Sequence, residues 1–579
     1  MNVPLTPLRF LRHAERQYAG RTAIVSRGER FTYKQFAERS ALLAGALRKA
    51  GLQPGERVAF LGTNSHRLLE AYYGVIEAGA VLLPLNIRLS AAELTFVLED
   101  SKASMLFIDP PFLPLVDSFR SHLSSVRTFC QLDGEIKDDW VLPQNYDQWL
   151  RAATPYSCDI TLVDEDSVAE IFYTSGTSAQ PKGVMLTHRN IYLHALETSH
   201  GFSVENGSVE LHTIPLFHAN GWGIAHFLTM LGGKHVMVDI FDPVAIFKYI
   251  ETEHVTQFNA VPFMATVLVN HPKIKDYDLS SLTRIVIGGA ASSPTLIREV
   301  EEAFGCTCIS GYGLTESSPA LTYSSMKPEL AWSDEQRYIG QAMTGYAFPC
   351  VELHIAGPND ELLPEDGIAV GELIARGDGV MKGYWNQPEL TAEALRGGWL
   401  RTGDMATIDP DGYVLIVDRK KDIIVSGGEN ISSLEVEKAM LAHPAVLEIA
   451  VIPVADQRWG EVPKALVVLK PGAVATELEL IEFSRACLTH YKCPKAVLFV
   501  ESLPKTGTGK VLKKNLRAQY EFSQPLRAAE SSHSGFCEAD HGSASVGRIR
   551  PRFPIWKLEN GRPQRLPYVL TGLGLPIAH

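Results

Sequence analysis

Apolar and polar residues alternate in blocks along residues 1–160, and these blocks predict helices and strands in turn. Thr32 is placed to cap a helix that Gly51 would end. An apolar run at 58–61 then predicts a short buried strand, and a second helix and strand follow it. Alternation at these lengths predicts βαβ units around a largely parallel, buried sheet. We therefore expect this part of the chain to be scaffold.

A loop rich in serine, threonine and glycine follows the apolar run 168–173, which predicts another buried strand. The loop reads Tyr173-Thr-Ser-Gly-Thr-Ser-Ala-Gln-Pro-Lys182-Gly. Hydroxyls, backbone N–H groups and one ammonium suit a polyphosphate. The Walker A pattern is excluded, because Lys182 comes before its glycine and a valine follows. The alternative is a solvated surface loop between the strand and a helix that begins near Asn190.

Two further strand ends carry glycines beside polar or aromatic residues. The first, in Pro215-Leu-Phe-His218-Ala-Asn-Gly-Trp222, would form the wall of a substrate pocket. Its alternative is a buried, hydrogen-bonded His218. The second is Arg284-Ile-Val-Ile-Gly-Gly-Ala-Ala291, whose glycine turn would let a flat ligand such as a purine lie against the backbone. Tight packing between strand and helix explains those glycines equally well.

Three polar segments downstream have the chemistry of a nucleotide site. Tyr312-Gly-Leu-Thr315-Glu316 combines a stacking aromatic, a hydroxyl and a carboxylate, and the carboxylate is a hard ligand suited to Mg²⁺. Asp404, in Arg-Thr-Gly-Asp, would accept both hydroxyls of a ribose, although such a residue more often caps its own backbone. Lys510 lies on a glycine-rich turn and would reach a site on another domain; its alternative is an exposed lysine in a flexible loop.

A short charged run, Asp418-Arg-Lys-Lys-Asp422, separates two apolar strands and predicts an inter-domain joint, with a solvated turn as the alternative. Helices and strands beyond it predict a small α+β unit. The polar stretch 523–550 lacks periodicity and predicts disorder, and the remainder adds prolines without clear strands. We expect an N-terminal domain at 1–418, a joint at 419–422, a small C-terminal domain at 423–521 and an extension at 522–579.

The bulk composition bounds the class of protein. At 579 residues the chain is too long for one core, so we expect two or more domains. Its net charge of −12 argues against a general nucleic-acid binder. The eight cysteines lack zinc-site spacing, which favours reduced thiols in or near the core. Since no signal peptide, membrane span or peroxisomal C-terminal tripeptide is visible, we expect a cytoplasmic protein.

Five motifs occur in series: Tyr-Thr-Ser-Gly-Thr-Ser-x-x-Pro-Lys-Gly, Gly-Tyr-Gly-Leu-Thr-Glu, Arg-Thr-Gly-Asp, Asp-Arg-Lys-Lys-Asp and Pro-Lys-Thr-x-x-Gly-Lys. Over about residues 1–520 the chain resembles the adenylate-forming superfamily of acyl-CoA synthetases, peptide-synthetase adenylation domains and firefly-type luciferases. Within it, the chain is most similar to fatty and medium-chain acyl-CoA synthetases. The resemblance implies an α/β fold: a large multi-subdomain N-terminal domain with layered sheets and helices, and a small mobile α+β lid.

The resemblance assigns a nucleotide role to three groups of residues. The ATP phosphates would be gripped by Thr174, Ser175, Gly176, Thr177, Ser178 and Lys182, with a further contact from Thr315. The adenine wall would comprise Gly289, Ala290, Ala291 and Tyr312. Asp404, assisted by Arg419, would bind the ribose, and Glu316 would be the Mg²⁺ ligand.

The same resemblance gives roles to the acid and coenzyme A sides. His218 falls at the aromatic gate position of the acyl pocket. Lys421 falls at the hinge on which the small domain swings, and Lys510 matches the lysine of the adenylation step. Gly427 and Gly428 match the loop that lines the pantetheine tunnel.

The implied reaction activates a carboxylic acid, a medium- or long-chain fatty acid, with ATP and then transfers it to coenzyme A. Mg²⁺ and Lys510 would offset the repulsion between two anions that must meet. Alternatives are an aryl acid, a carrier protein as acceptor, or a luciferase-like oxygenase. A non-catalytic binding protein is disfavoured, because Lys182, Glu316, Asp404 and Lys510 are all present. Acid, ATP and coenzyme A are the expected partners, and a homodimer is left open.

Overall fold

The computed structural model describes residues 3–174, 180–505 and 511–520, and the backbone of 556–559 and 562–565. By its contacts the chain divides into two units, Met1–Leu526 and Arg527–His579, which are described separately.

Helices and strands alternate through the first unit, as the blocks of apolar and polar residues predicted. The helices are α1 (Leu8–Tyr18), α2 (Tyr33–Lys49), α3 (His66–Glu77), α4 (Ala91–Ser101), α5 (Leu113–Asp117), α6 (Tyr146–Arg151), α7 (His188–Gly201), the single turn α8 (Ala219–Trp222), α9 (Ile224–Met230), α10 (Pro243–Glu253), α11 (Pro262–Val269), α12 (Pro294–Phe304), α13 (Asp334–Ala342), α14 (Pro388–Ala394), α15 (Ser433–Leu441), α16 (Glu477–Cys487) and α17 (Lys513–Tyr520).

The strands of the first unit are β1 (Thr22–Ser26), β2 (Glu29–Thr32), β3 (Arg57–Leu61), β4 (Val81–Pro84), β5 (Ala103–Ile108), β6 (Thr128–Gln131), β7 (Val168–Thr174), β8 (Lys182–Thr187), β9 (Val209–His212), β10 (Lys234–Met237), β11 (Gln257–Ala260), β12 (Arg284–Ile287), β13 (Thr307–Tyr312), β14 (Thr322–Tyr323), β15 (Tyr346–Ala347), β16 (Val351–Ala356), β17 (Gly371–Gly377), β18 (Gly383–Tyr384), β19 (Leu400–Ile408), β20 (Val414–Arg419), β21 (Ile424–Ser426), β22 (Glu429–Ile431), β23 (Val446–Asp456), β24 (Gly460–Leu469) and β25 (Ala496–Phe499).

Helix α2 begins and ends where its sequence predicted. The Gln35 backbone N–H donates to Thr32 Oγ1 at 3.3 Å, and the Thr32 N–H donates to Gln35 Oε1 at 2.8 Å. This reciprocal cap contributes about 1 kcal/mol to helix stability. Gly51 follows the helix with a φ of 83°, a conformation that glycine adopts without strain. Both predicted boundaries are confirmed.

Two large sheets form the N-terminal part. Within the described residues, one has nine strands in the order β15-β14-β13-β12-β11-β9-β10-β1-β2. Its six consecutive strands β13, β12, β11, β9, β10 and β1 run parallel. The other has seven strands in the order β18-β8-β7-β4-β3-β5-β6 and is parallel from β6 to β7. The largely parallel, buried sheet predicted for the first 160 residues is confirmed.

Helix α3 lies in the core, and all its residues are buried. A helix buried on every face must pair its polar groups inside the protein. Glu70 meets this need: its carboxylate accepts a hydrogen bond from the Tyr146 hydroxyl at 2.8 Å and forms an ion pair with Arg39. In the part of the chain that the structure describes, no helix is long and apolar enough to span a membrane.

A four-stranded antiparallel sheet, β16-β17-β19-β20, leads into a smaller α+β part built on β21 to β25. Buried clusters cover both faces of the β23–β24 ladder: Val436 of α15 and Leu480 of α16 lie in one, and Leu516 of α17 lies in the other. The expected fold class, a large layered α/β part followed by a small α+β part, is confirmed. The expected boundaries stay predictions.

In the second unit, strands β26 (Trp556–Glu559) and β27 (Arg562–Arg565) pair antiparallel. From its sequence, this proline-containing region was expected to have no clear strands. The intervening sequence, Asn560-Gly561, is a pair that strongly favours a two-residue hairpin connection, and this signal was overlooked.

Candidate active site

The polar loop after β7 joins two antiparallel strands rather than a strand and a helix. Thr174 and Lys182 are cross-strand partners in the β7–β8 hairpin. Helix α7 begins at His188, because Thr187 caps it by accepting the Asn190 backbone N–H at 3.1 Å. Strand β8 occupies the six residues Lys182–Thr187, up to and including that cap, so the expected strand–loop–helix arrangement is wrong. The phosphate-loop residues Ser175, Gly176, Thr177 and Ser178 lie outside the described residues.

Lys182 and Glu316 both contact Tyr384, a residue that the sequence analysis missed. The Tyr384 hydroxyl donates to Glu316 Oε1 at 2.9 Å, and Lys182 Nζ lies 5.0 Å from the centre of the Tyr384 ring. Tyr384 belongs to β18, which pairs with β8 next to Lys182. Burial and the neighbouring Glu316 carboxylate raise the pKa of Tyr384, so the hydroxyl remains a donor. The only sequence signal was the aromatic pair after Gly383.

Asp404 is held between two donors. The Tyr312 hydroxyl donates to Asp404 Oδ2 at 2.6 Å, and Arg419 Nε lies 2.6 Å from Oδ1. Strands β19 and β20 set this geometry, because Asp404 and Arg419 are cross-strand partners. Asp404 is 2% exposed, and its own N–H donates to Thr402 Oγ1. Among the described residues, the carboxylate is paired with Tyr312 and Arg419 rather than with the backbone of its own turn, which was the alternative.

The two clusters share one short segment. Tyr312 ends β13, and a 3-10 turn, Thr315–Ser317, follows at once and carries Glu316. The Glu316 carbonyl accepts the Met381 N–H at 2.8 Å, which fixes the turn against the β18 side. Thr315 is buried. The structure therefore links Lys182, Glu316, Tyr312 and Asp404 through Tyr384 and the segment 312–317, although they come from distant parts of the chain.

The glycine turn after β12 lies at the same sheet edge. Strands β12 and β13 are parallel neighbours, with Ile287 opposite Ser310, so their carboxyl ends point the same way. Gly289 has a φ of 78°, which favours glycine. Ala290 and Ala291 are exposed. Their small side chains leave open surface after β12, and the neighbouring strand β13 ends at Tyr312.

The segment with His218 and Trp222 follows β9 of the same sheet. β9 ends at His212, three residues before the predicted end at Pro215. His218 is half-buried, and Trp222 packs on the turn after β12: a Cβ added to Gly288 would lie 3.0 Å from Trp222 Cη2. An aromatic wall thus stands beside the edge where Gly289 and Tyr312 lie.

The predicted residues of the small part have separate surroundings. Lys421 is exposed in the turn after β20, and its neighbour Asp422 forms an ion pair with Arg517. Gly427 and Gly428, with φ of 59° and 88°, form the tight turn between β21 and β22. The Gly427 N–H donates to the Trp459 carbonyl at 2.7 Å, inside the small part.

Lys510 lies outside the described residues. The described residue nearest before its loop, Lys505, lies 2.6 Å from Glu448 and 4.1 Å above the ring of Phe263, which belongs to α11. This contact joins the small part to the large part.

The carboxylate of Glu316 has the chemistry of a magnesium ligand. The described residues contain no group of three or more His, Cys, Asp and Glu side chains that could hold a metal ion. Glu316 is half-buried and offers one carboxylate, with Oε1 accepting from Tyr384. A single protein carboxylate suits Mg²⁺, which retains several waters and binds substrate phosphates rather than a protein cage. The residues present therefore fit the ion.

Comparison with known proteins places this chain in a family. The AMP-binding enzyme family matches residues 10–385, and the AMP-binding enzyme C-terminal domain matches residues 435–510. A peroxisomal butyrate–CoA ligase of Arabidopsis thaliana is 35% identical over 536 residues, which cover 89% of this chain and 93% of the relative. A long-chain-fatty-acid–CoA ligase of Thermus thermophilus is 37% identical over 513 residues, 87% of this chain and 93% of the relative.

A solved structure of the anthranilate CoA ligase AuaEII, in complex with anthranoyl-AMP, has a TM-score of 0.81. Its sequence is 25% identical, and the match covers 90% of this chain and 98% of the ligase chain. The named relatives are CoA ligases, in agreement with the predicted enzyme class, an acid–thiol ligase. The resemblance drawn from the five motifs is confirmed, and the chain belongs to the AMP-binding enzyme family of the adenylate-forming superfamily.

Proposed function

We propose that this enzyme joins a medium- or long-chain fatty acid to coenzyme A through an acyl-adenylate made from ATP, with release of AMP and pyrophosphate. The observation that carries the proposal is the Asp404 carboxylate, fixed by Arg419 and by Tyr312, which lies on the same short segment as Glu316. Relatives named for butyrate and long-chain fatty acids support an aliphatic acid.

Asp404 is suited to the two hydroxyls of a ribose. Each carboxylate oxygen can accept about two hydrogen bonds. Oδ2 accepts one from Tyr312 and Oδ1 accepts one from Arg419, so each oxygen keeps capacity for one sugar hydroxyl. The adenine would then lie between Tyr312 and the open turn at Gly289, Ala290 and Ala291.

The phosphates would lie towards the β7–β8 hairpin. Thr174 and Lys182 flank the loop as cross-strand partners, so a hydroxyl and an ammonium face the same opening. Glu316 would hold Mg²⁺ on this side, and Tyr384 orients its carboxylate. When bound, the ion would neutralise negative charge on the phosphate oxygens. The phosphate contacts of Thr315 and of Ser175 to Ser178 stay predictions.

The segments around the acid site favour an apolar monocarboxylate. Neither lysine nor arginine occurs in 213–223, 259–264, 288–293 or 311–319. A second carboxylate on the substrate would need a cationic partner when it leaves water. Trp222 instead offers an aromatic wall, and His218, at the gate position, is the polar group of that wall.

Two substitutions at different atoms complete the reaction. A carboxylate oxygen of the acid attacks the α-phosphorus of ATP, the bond to the β-phosphate oxygen breaks, and pyrophosphate leaves. The coenzyme A thiolate, having lost its proton, then attacks the acyl carbonyl carbon, and AMP leaves with the acid's former oxygen. Lys510 would stabilise charge in the first step, and movement about Lys421 would bring Gly427 and Gly428 to the pantetheine for the second.

The test measures pyrophosphate release across a panel of acids, with and without coenzyme A. We expect an aliphatic acid of medium or long chain to give the highest rate, and thioester only when coenzyme A is present. A preference for aryl acids would show that the substrate is an aryl acid and not a fatty acid. Light emission in air without thioester would indicate a luciferase-like oxygenase. Thioester formed only on a carrier protein would contradict coenzyme A as acceptor.

A further inference from the structure

An unusual backbone turn separates His218 from helix α9. Residues 219–223 all have positive φ: Ala219 44°, Asn220 47°, Gly221 65°, Trp222 63° and Gly223 86°. Non-glycine residues seldom adopt this left-handed conformation, and a run of them persists only where the surroundings hold it. The question is therefore which groups hold this turn.

Glu170 supplies the side-chain acceptor that holds it. Glu170 lies on β7 and is 0% exposed. Its Oε2 accepts from Asn220 Nδ2 at 3.0 Å, and its Oε1 lies 2.7 Å from His226 Nε2. Asn220 Oδ1 in turn accepts the Gly223 N–H at 2.7 Å, which closes the turn. Among the described residues, both side-chain hydrogen-bond partners of Glu170 come from this one segment.

Other residues hold the stem of the same segment. Asn64 donates to the carbonyls of His212 and Ile214 and accepts the Leu216 N–H at 2.7 Å. Tyr72 donates to the Leu216 carbonyl. The stem therefore has its own supports on α3 and the loop before it. A change at Glu170 would act on the tip, where Trp222 lies, and not on β9.

Glu170 also ties the acid side to the nucleotide side. It precedes Thr174 by four residues in β7, so both side chains lie on the same face of the strand. Strand β7 belongs to the seven-stranded sheet, whereas residues 219–226 follow β9 of the nine-stranded sheet. The carboxylate therefore bridges the two sheets at the base of the phosphate hairpin.

We propose that Glu170 is a positioning residue for the acid: it holds the left-handed turn so that Trp222 and His218 present their side chains to the acid at a fixed distance from the phosphate hairpin. Such a role rests on the proposed function, because it takes residues 218–222 as a wall of the acid site. A carboxylate is required, since two donors converge on it and an amide offers only one acceptor oxygen.

The test compares Glu170→Gln with Glu70→Gln. Glu70 is equally buried, with 0% exposure, and pairs with Arg39 and Tyr146 away from the turn. Pyrophosphate release is measured against acid and against ATP in turn. We expect Glu170→Gln to raise the KM for the acid about ten-fold, with the KM for ATP unchanged. The difference in kcat/KM between acids of different chain length should become smaller. Glu70→Gln should alter thermal stability only.

A second variant covers the case in which Glu170→Gln does not fold. Asn220→Gly keeps the backbone free to adopt positive φ and removes the contact to Glu170. It should change the KM for the acid in the same direction. Unchanged acid KM and chain-length preference in the variants that fold, or equal changes in the KM for acid and ATP, would overturn the role of Glu170. A wild-type enzyme that releases pyrophosphate with no acid would overturn the proposed function first.

Discussion

The Tyr312 hydroxyl donates to Asp404 Oδ2 at 2.6 Å, across 92 positions of sequence. This hydrogen bond sets the orientation of the carboxylate that we assign to the ribose. Burial, together with Asp404, raises the pKa of Tyr312, so the phenol remains a donor throughout the working range.

Replacing Tyr312 by phenylalanine should weaken ATP binding. The ring stays for the adenine, but Asp404 loses one of its two fixed donors and is then oriented by Arg419 alone. We expect the KM for ATP to rise about ten-fold, which corresponds to about 1.4 kcal/mol, while the KM for the acid stays unchanged. Tyr413→Phe is the matched control, because its hydroxyl donates to the Ser325 carbonyl. If both variants bind ATP like wild type, the Tyr312 hydroxyl has no part in nucleotide binding.

Replacing Tyr384 by phenylalanine should change the response to magnesium. The ring remains beside Lys182, whereas the hydrogen bond to Glu316 Oε1 is lost. A less ordered Glu316 should bind Mg²⁺ less well, so the concentration needed for half-maximal rate should rise about three- to ten-fold. The rate is titrated with Mg²⁺ at saturating ATP and acid. An unaltered magnesium curve would show that Tyr384 does not support the ligand.

Adding one methyl group at Gly288 should narrow the acid site. The new Cβ would lie 3.0 Å from Trp222 Cη2 and 3.0 Å from the Gly311 carbonyl oxygen, so the indole must move. Gly288→Ala is expected to lower kcat/KM for the longest acids most, with little effect on the KM for ATP. Gly20→Ala is the control, because nothing lies within 4 Å of its added Cβ. A uniform loss over all acids would contradict a wall role for Trp222.

Glu197 should make the folded protein less stable as pH rises. Burial, and then Asp378, raise the pKa of this carboxyl to about 8 from an ordinary 4.5. Between these values the folded state holds a proton that the unfolded state has lost, so stability falls with rising pH. Each unit of pKa shift corresponds to about 1.4 kcal/mol. Glu197→Gln should therefore be more stable than wild type at about pH 9 and similar at about pH 4, by urea unfolding.

A carboxyl with the opposite shift gives the control for that measurement. The hydrogen bond from Arg127 is the main cause that lowers the pKa of Glu56. Its stabilising effect is present above its unfolded pKa and is lost as pH falls. Glu56→Gln should thus lose stability at about pH 9, where Glu197→Gln gains it. The same direction in both variants would contradict the assignment for Glu197.

Local signals in the sequence were enough for much of the fold. The Thr32 cap, the Gly51 stop and the apolar run of β3 depend on neighbours within a few residues, so they could be predicted. The β7–β8 hairpin was misjudged because the region around Lys182 was taken as loop, although the short apolar run 184–186 directly before the Thr187 cap belongs to strand β8.

The candidate site divides in the same way. Tyr312, Glu316 and Asp404 were found through motifs of the family, and the structure brings them together. Tyr384 lies 68 positions from Glu316, and Glu170 lies 50 positions from Asn220. No local pattern marks such pairs, because only the sheet topology makes them neighbours. A buried glutamate in an otherwise apolar strand was the signal that could have singled out Glu170.

The most direct test of the account follows an oxygen atom. An acid labelled with ¹⁸O in its carboxyl group is incubated with ATP, Mg²⁺, coenzyme A and the enzyme. The ¹⁸O content of each product is then measured by mass spectrometry. If the acid oxygen attacks the α-phosphorus, AMP gains one labelled oxygen and pyrophosphate gains none. Unlabelled AMP, or label in pyrophosphate or inorganic phosphate, would contradict an acyl-adenylate intermediate.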